Sequence, residues 1–236
     1  MPTGAAVLRC ASSTGSLRRT RCLGRRLAMP DIVLVDDHPV VRLGVRAVLS
    51  GHPDLAVVAE STTVAQAVHD VAVRRPRLVV LDVVLGGRPV GPALCRTIKD
   101  EAAPAVLVLT ARTAPAEVTA MYLAGADSLV HRTSPPATLL ATVRATIEGR
   151  RVWAPAHHEI GPPPGDGHHD PAEQLAPEHL TPREREVLGL LLQHCPNADI
   201  AAALHLGLPT VKTHVRAVLR KLGLARRQDL FRNHAA

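Results

Sequence analysis

Short apolar runs that alternate with helix-like stretches constrain the fold of residues 31–149 more than any other feature. The apolar runs lie at 32–36, 55–60, 77–82, 105–110 and 128–131. Stretches with apolar residues at helical spacing follow them, at 39–50, 62–74, 91–101, 115–124 and 136–149. Five strands that alternate with five helices predict a parallel sheet covered on both faces. Such sheets bind ligands at the carboxyl ends of their strands.

Polar side chains stand at three of these predicted strand ends. Asp36 and Asp37 end the first strand, Asp82 ends the third and Thr110 ends the fourth. A single Asp after a strand often only caps the next helix. Carboxylates gathered at matching strand ends instead favour a Mg²⁺ site, because hard oxygen ligands suit this ion. Such a site can hold a phosphoryl group, and one carboxylate can act as its nucleophile.

The last part of the chain, residues 179–236, has a different pattern, which predicts a small all-α domain. Its expected helices span 182–193, 197–204, 208–221 and 226–233. Thr181 is predicted to cap the first helix and Asn197 the second, whereas Thr210 falls inside the third. A short helix, a tight turn and a basic helix form a helix-turn-helix.

The polar side chains of helix 208–221 are candidates for contacts with duplex DNA. Lys212, Thr213 and Arg216 are predicted to reach base edges in the major groove. Phosphate contacts are expected from the other polar side chains of this helix, Arg220, Lys221 and, if it does not pack inside, His214. Acidic residues of the first helix, Glu184 and Glu186, are expected to hold positive side chains within the domain.

Composition restricts the classes of protein that fit. The chain has 236 residues and a net charge of +7, with basic residues concentrated at its two ends. A basic last domain after a nearly neutral first one predicts that only the last domain meets a polyanion. No apolar run is long enough to span a membrane. The four scattered cysteines show no metal-binding spacing and indicate reduced thiols in the cytoplasm.

Two further segments flank or join the predicted domains. Residues 1–29 are rich in Arg and Ser. We interpret Met29 as the true start and the residues before it as an over-called upstream extension, with a disordered basic tail as the alternative. Residues 150–178 are rich in Pro, Gly and His and predict a linker. The alternative for this segment is a metal site formed by His157, His158, His168 and His169. The predicted domains are therefore 30–149 and 179–236.

Residues 31–149 resemble the receiver domain of two-component response regulators, a doubly wound, flavodoxin-like fold. The resemblance rests on the acidic pair, on Asp82 in LVVLDVVL and on Thr110 in VLVLTA. It implies that Asp82 accepts a phosphoryl group from a sensor histidine kinase. It also implies that Asp37, Asp82 and the backbone carbonyl of Val84 bind Mg²⁺ directly and that Asp36 binds it mainly through water. Thr110 would contact the phosphoryl group and shift on phosphorylation.

The segment from Leu180 to Leu230 closely resembles the DNA-binding domain of LuxR-type, that is NarL/FixJ-type, regulators. The matching motifs are LTPREREVL at 180–188, Asn197 with Ile200-Ala201, and TVKTHV at 210–215. The resemblance implies a homodimer on two adjacent half-sites of double-stranded DNA and an effect on the transcription machinery.

Three positions depart from the receiver pattern. Arg132 stands where the family has Lys, and an Arg fork is wider and planar, so this exchange changes the geometry. Leu129 stands where the family has a switching aromatic residue. Gly86 stands where the family usually has Pro, four residues after the predicted phosphoacceptor, which predicts a looser loop.

The sequence therefore predicts a cytoplasmic response regulator that is a transcription factor and not an enzyme. The first alternative is a regulator that binds DNA without phosphorylation and has a degenerate receiver; Arg132, Leu129 and Gly86 are the residues in its favour. The second is a Mg²⁺-dependent phosphohydrolase using the same carboxylates, which leaves the basic helix-turn-helix unexplained.

Overall fold

The computed structural model describes residues 30–154 and 180–232. The predicted extension at 1–29, most of the predicted linker and its four histidines lie outside these residues. The first part is an α/β fold with the strands β1 (Asp31–Val35), β2 (Ala56–Ser61), β3 (Leu78–Leu81), β4 (Val84–Leu85), β5 (Arg88–Pro89), β6 (Ala105–Thr110), β7 (Ser128–His131) and β8 (Trp153–Ala154). Its helices are α1 (Pro39–Ser50), α2 (Val64–Arg74), α3 (Gly91–Ala102), α4 (Pro115–Leu123) and α5 (Pro136–Ile147).

The main sheet is parallel throughout and has the strand order β2-β1-β3-β6-β7-β8. Successive residues of its central strands enter two different cores, because side chains of a strand alternate between the faces of a sheet. Val33 lies in the core under α2, α3 and α4, whereas Ile32 and Leu34 lie in the core under α1 and α5. The predicted parallel sheet with helices on both faces is confirmed.

The prediction of five strands is wrong by one strand, since Trp153–Ala154 pairs with β7 as a sixth, parallel strand. A second difference is the small antiparallel hairpin formed by β4 and β5, which follows Asp82. Gly86 and Gly87 form its turn with φ values of 60° and 73°. This left-handed region is unfavourable for residues with a Cβ.

The second part is all-α, with helices α6 (Pro182–Leu192), α7 (Asn197–Ala203) and α8 (Leu208–Lys221). The predicted fourth helix is a short 3₁₀ helix, Arg227–Phe231. Thr181 caps α6 as predicted, in a reciprocal capping box with Glu184. The prediction for Asn197 is wrong, because Pro196 is the cap residue and Asn197 begins α7. Thr210 lies inside α8 as predicted.

Glu184 links the start of α6 to the end of α8 and offers a test of stability. Its carboxylate accepts hydrogen bonds from the backbone N–H of Thr181 at 2.8 Å and from Lys221 Nζ at 2.6 Å. Burial by itself raises the pKa of Glu184, but these hydrogen bonds outweigh it and the net pKa is lowered. The folded domain therefore gains stability above the unfolded-state pKa of Glu184 and loses it as the pH falls through the lower, folded-state pKa.

We expect Glu184→Gln to lower the free energy of unfolding by about 1 kcal/mol at neutral pH. Urea unfolding followed by circular dichroism at pH 7 and again at pH 3 measures the difference. The gap between the variant and the native chain is expected to shrink at pH 3. Glu186→Gln, which alters a more exposed ion pair of the same helix, is the control; an equal loss in both variants at pH 7 would contradict the prediction.

Candidate acidic pocket and nucleic-acid interface

Three carboxylates meet at the carboxyl ends of β1 and β3, as the sequence predicts. Asp36 and Asp82 are buried, and Asp37 is partly exposed. One ligand atom each from Asp36, Asp37, His38 and Asp82 can be chosen so that all four lie within 4.8 Å of one another. Strands β1 and β3 are adjacent and parallel, so they end side by side. This pairing places the buried carboxylates of Asp36 and Asp82 together.

Arg132 supplies the main positive charge of this pocket. Its Nη2 lies 2.5 Å from Asp82 Oδ2 and 3.3 Å from Asp36 Oδ2. Arg132 directly follows the last residue of β7, and the neighbouring strand β6 ends in Thr110. Burial raises the pKa of Asp82, and the nearby Arg132 guanidinium only partly offsets this effect. The Arg132 guanidinium therefore reaches Asp82, the carboxylate that the family resemblance implies is the phosphoacceptor.

Asp37 is held by a contact that sequence reasoning missed. The backbone N–H of Gly86 donates to Asp37 Oδ2 at 2.7 Å and is the main reason why the pKa of Asp37 is lowered. Proline, the usual family residue at position 86, has no N–H to donate. The sequence indicates the unusual Gly86 but not the carboxylate across the pocket that it contacts.

His38 is the second residue that sequence reasoning missed. Its ring Nδ1 lies 3.1 Å from Asp36 Oδ1 and 2.9 Å from Asp37 Oδ1. His38 is also the residue before α1, but its side chain makes no capping hydrogen bond. Asp37 and His38, which stand just before Pro39, therefore do not serve only as helix caps, because both contribute atoms to the acidic pocket. The signal was available in the adjacency of His38 to the acidic pair.

Thr110 and Leu129 are the remaining residues of the predicted phosphoryl-contact set. The hydroxyl oxygen of buried Thr110 accepts a hydrogen bond from the backbone N–H of Arg112 at 3.0 Å, so its own hydrogen stays available to a ligand. Leu129 is fully buried in β7. Val84 starts β4, two residues after Asp82. The role of its carbonyl as a metal ligand stays a prediction.

The helix-turn-helix presents the polar face that the sequence predicts. Val211 and Val218 of α8 are buried against α6 and α7. Lys212, Thr213 and Arg216 are exposed on the opposite side, and His214 is half-buried. The Thr213 hydroxyl donates to the carbonyl oxygen of Pro209 at 3.1 Å. The methyl group of Thr213 remains available for an apolar contact.

The cations near the end of α8 differ in their surroundings. Arg220 is exposed. Lys221 Nζ lies 2.6 Å from Glu184 Oε2, so Lys221 ties two helices together. Glu186 pairs with Arg183 Nη1 at 2.6 Å. The prediction that Glu184 and Glu186 hold positive side chains is confirmed, whereas the phosphate contact of Lys221 stays a prediction.

Comparison with known proteins agrees with this geometry. The family model for the response regulator receiver domain matches residues 32–144, and the model for the luxR family of bacterial regulatory proteins matches residues 178–233. The nitrate/nitrite response regulator protein NarP of Escherichia coli (strain K12) is 34% identical over 197 residues, which cover 83% of this chain and 90% of NarP. The chain belongs to the NarL/FixJ-type response regulators.

Other relatives of this response regulator give the same result. The response regulator protein VraR of Staphylococcus aureus (strain NCTC 8325 / PS 47) is 32% identical over 191 residues, covering 81% of this chain and 89% of VraR. A crystal structure of a LuxR-family two-component response regulator from Aurantimonas sp. SI85-9A1 superposes with a TM-score of 0.51 and 34% identity. The match covers 54% of this chain and 91% of that one. The predicted family and fold class are confirmed.

The pocket of this response regulator fits the Mg²⁺ ion that receiver domains bind. Three carboxylates converge there, and carboxylate oxygens are the ligands that Mg²⁺ prefers. None of the helices within residues 30–154 and 180–232 combines the length and the apolarity that crossing a membrane requires.

The ion pairs of Arg132 make it the first residue to vary in the response regulator. We expect Arg132→Ala to lower the free energy of unfolding by about 2 kcal/mol, because two buried carboxylates lose their shared cation while some water still reaches the site. Arg132→Lys keeps the charge and is expected to lose less than half as much. Urea unfolding in magnesium-free buffer measures both. Equal stability of the alanine variant and the native chain would show that these ion pairs do not stabilise the fold.

Proposed function

We propose that a sensor histidine kinase phosphorylates this response regulator on Asp82, and that the phosphorylated form changes transcription by binding duplex DNA as a homodimer. The observation that carries the proposal is the placement of the Asp82 carboxylate. It is buried at the end of β3, beside Asp36 and within 2.5 Å of the Arg132 guanidinium. A carboxylate that is held next to a cation in a pocket is positioned to attack an electrophilic phosphorus.

The chemistry follows from three side chains of the chain. An Asp82 carboxylate oxygen attacks the phosphorus on the histidine of the kinase, and an acyl phosphate forms. The bond between phosphorus and the imidazole nitrogen breaks, and the imidazole leaves with its electron pair and takes up a proton from solvent. Arg132 leaves its ion pair with Asp82 and neutralises the oxygens of the transferred group. The free hydroxyl hydrogen of Thr110 donates to one of these oxygens, which draws β6 toward Asp82.

Mg²⁺ belongs to this proposal as the cofactor. Asp36, Asp37 and Asp82, with the carbonyl of Val84, would hold it, and it would neutralise charge on the phosphoryl oxygens. The Gly86 N–H keeps the Asp37 carboxylate in place and ionised.

The DNA-binding part of the proposal rests on the exposed face of α8. Lys212 and Arg216 would donate to guanine, and the free methyl group of Thr213 would contact thymine. Arg220 and His214 would contact phosphates. Lys221 is engaged by Glu184, so we propose that its main role is within the domain. Two copies would read half-sites about one helical turn apart and act on the transcription machinery in the cytoplasm. We propose two domains, 30–149 and 179–236, and strand β8 at Trp153–Ala154 extends the first of them, because it pairs with β7 of the receiver sheet.

One experiment tests this function as a whole. The full chain is mixed with a random pool of duplex DNA, with and without a small phosphodonor and Mg²⁺, and bound DNA is sequenced. We expect one enriched sequence with paired half-sites, and stronger enrichment with the phosphodonor. Equal enrichment in both arms would instead support the regulator with a degenerate receiver. Repeated release of inorganic phosphate from phosphate esters without any DNA enrichment would support the phosphohydrolase.

A further inference from the structure

The three aromatic residues of the chain lie along one path that runs from α4 to the last helix. The rings of Tyr122 and Trp153 meet edge to face, with centroids 5.4 Å apart. The His194 ring Nε2 donates to the carbonyl oxygen of Trp153 at 3.0 Å, and the same ring stacks on Phe231 with centroids 4.4 Å apart. The path therefore joins the receiver to the DNA-binding domain through the strand that the sequence did not predict.

Trp153 is buried next to the strand position that lacks its usual aromatic residue. Strand β8 pairs with β7 so that Trp153 stands opposite Leu129, and Leu129 N donates to the carbonyl oxygen of Val152 at 2.8 Å. Leu129 in turn pairs with Val108 of β6, the strand that ends in Thr110. Only 1% of Trp153 is exposed, and its indole Nε1 has no hydrogen-bond partner within residues 30–154 and 180–232. A buried indole usually pairs its N–H, so no hydrogen bond from the described residues fixes the orientation of this ring.

A second set of contacts docks α6 of the DNA-binding domain on α4. The Thr119 hydroxyl donates to the carbonyl oxygen of Arg185 at 2.8 Å, and Gln193 Nε2 donates to the carbonyl oxygen of Thr113 at 2.9 Å. A Cβ built at Gly189 would lie 2.1 Å from the backbone oxygen of Pro115. Only glycine permits this approach of the two helices.

We infer that strand β8, through the buried side chain of Trp153, is a relay that sets the position of the DNA-binding domain on the receiver. Trp153 contacts α4 through its ring, β7 through its backbone and α6–α7 through its carbonyl oxygen. A shift of β6 or α4 at the pocket therefore changes the position at which α6 packs against the receiver. The side chains proposed to read bases remain exposed while α6 is docked. The relay thus acts by repositioning an exposed DNA-reading helix and does not have to uncover it.

The docking part of this inference is tested without phosphorylation. Gly189→Ala favours the helix itself by about 1 kcal/mol but places a methyl group against Pro115. Because Trp153 is the only tryptophan, its fluorescence reports on β8 directly. We expect its emission to move to longer wavelength in Gly189→Ala, and the radius of gyration from small-angle X-ray scattering to increase. Gly44→Ala in α1 is the matched control, since a Cβ built at Gly44 has no neighbouring atom of the described residues within 4 Å, apart from its own helix backbone. Unchanged emission and size in Gly189→Ala would overturn the docking part.

The relay part rests on the proposed function and needs a second comparison. Acyl phosphate on the full chain is measured by intact mass after treatment with acetyl phosphate and Mg²⁺, and DNA affinity is measured on the same samples. We expect Trp153→Ala to form the acyl phosphate as the native chain does, while its DNA affinity no longer responds. Trp153→Phe is expected to restore at least part of the response. A full response in Trp153→Ala would refute the relay. If the native chain takes up no phosphoryl group, the proposed function and the relay both fall, and the Gly189→Ala comparison still decides the docking.

Discussion

The Asp82→Asn variant is expected to take up no phosphoryl group from acetyl phosphate in the presence of Mg²⁺. Asparagine keeps the shape of the side chain but lacks the carboxylate that attacks phosphorus. It also leaves Arg132 without its closest partner, which lies 2.5 Å away in the native chain. Intact mass spectrometry of the full chain measures the bound phosphoryl group. The DNA affinity of this variant is expected to be the same with and without the phosphodonor.

Asp100→Asn provides the matched control, because Asp100 is an exposed carboxylate on α3. It is expected to be phosphorylated as the native chain is. Stoichiometric phosphate on Asp82→Asn would show that another residue is the acceptor. Phosphate on the native chain with no change in DNA affinity would instead favour a receiver that no longer controls its output.

The double variant Lys212→Ala/Arg216→Ala is expected to lose sequence-specific DNA binding. Each contact between such a side chain and guanine contributes about 1–3 kcal/mol of discrimination. Together the two losses correspond to at least roughly a 30-fold weaker affinity for the selected site. Both side chains are exposed on α8, where Val211 and Val218 supply the packing, so the fold is expected to persist. Fluorescence anisotropy with the selected duplex at constant salt measures the change.

Two further variants separate base reading from general charge. Arg74→Ala removes one positive charge from an exposed helix of the receiver and is expected to leave the affinity nearly unchanged. Thr213→Val keeps a methyl group and removes a hydroxyl that is already bonded to Pro209, so it is expected to bind with an affinity close to that of the native chain. If the double variant still prefers the selected sequence over random DNA, α8 is not the reading helix.

Regular elements follow from the sequence because their periodicity is local. Every predicted strand and helix of the receiver lies within about two residues of its observed bounds, as α1 at Pro39–Ser50 and β6 at Ala105–Thr110 illustrate. The acidic pair and Asp82 come together because parallel strands share one edge of the sheet. The candidate site was therefore predictable as a set of strand ends.

The features that sequence reasoning missed depend on contacts between distant residues or on very short elements. Strand β8 and the hairpin strands have two residues each, too few to show any periodicity. The hydrogen bond between Gly86 and Asp37 spans 49 positions. The approach of Gly189 to Pro115 left one local sign, a glycine in the middle of a helix. Its partner belongs to another domain, and no pattern in the sequence names it.

The exposure of the α8 face has a consequence for where the protein resides before any signal arrives. Lysine and arginine side chains that face solvent attract the phosphate backbone of any duplex, whatever its sequence. The unmodified protein is therefore expected to be stored along the chromosome, exchanging between random sites by sliding and short hops. On the proposed function, a signal would act on copies that are already on DNA, and the rate at which two such copies meet on adjacent half-sites would set the delay before a gene responds.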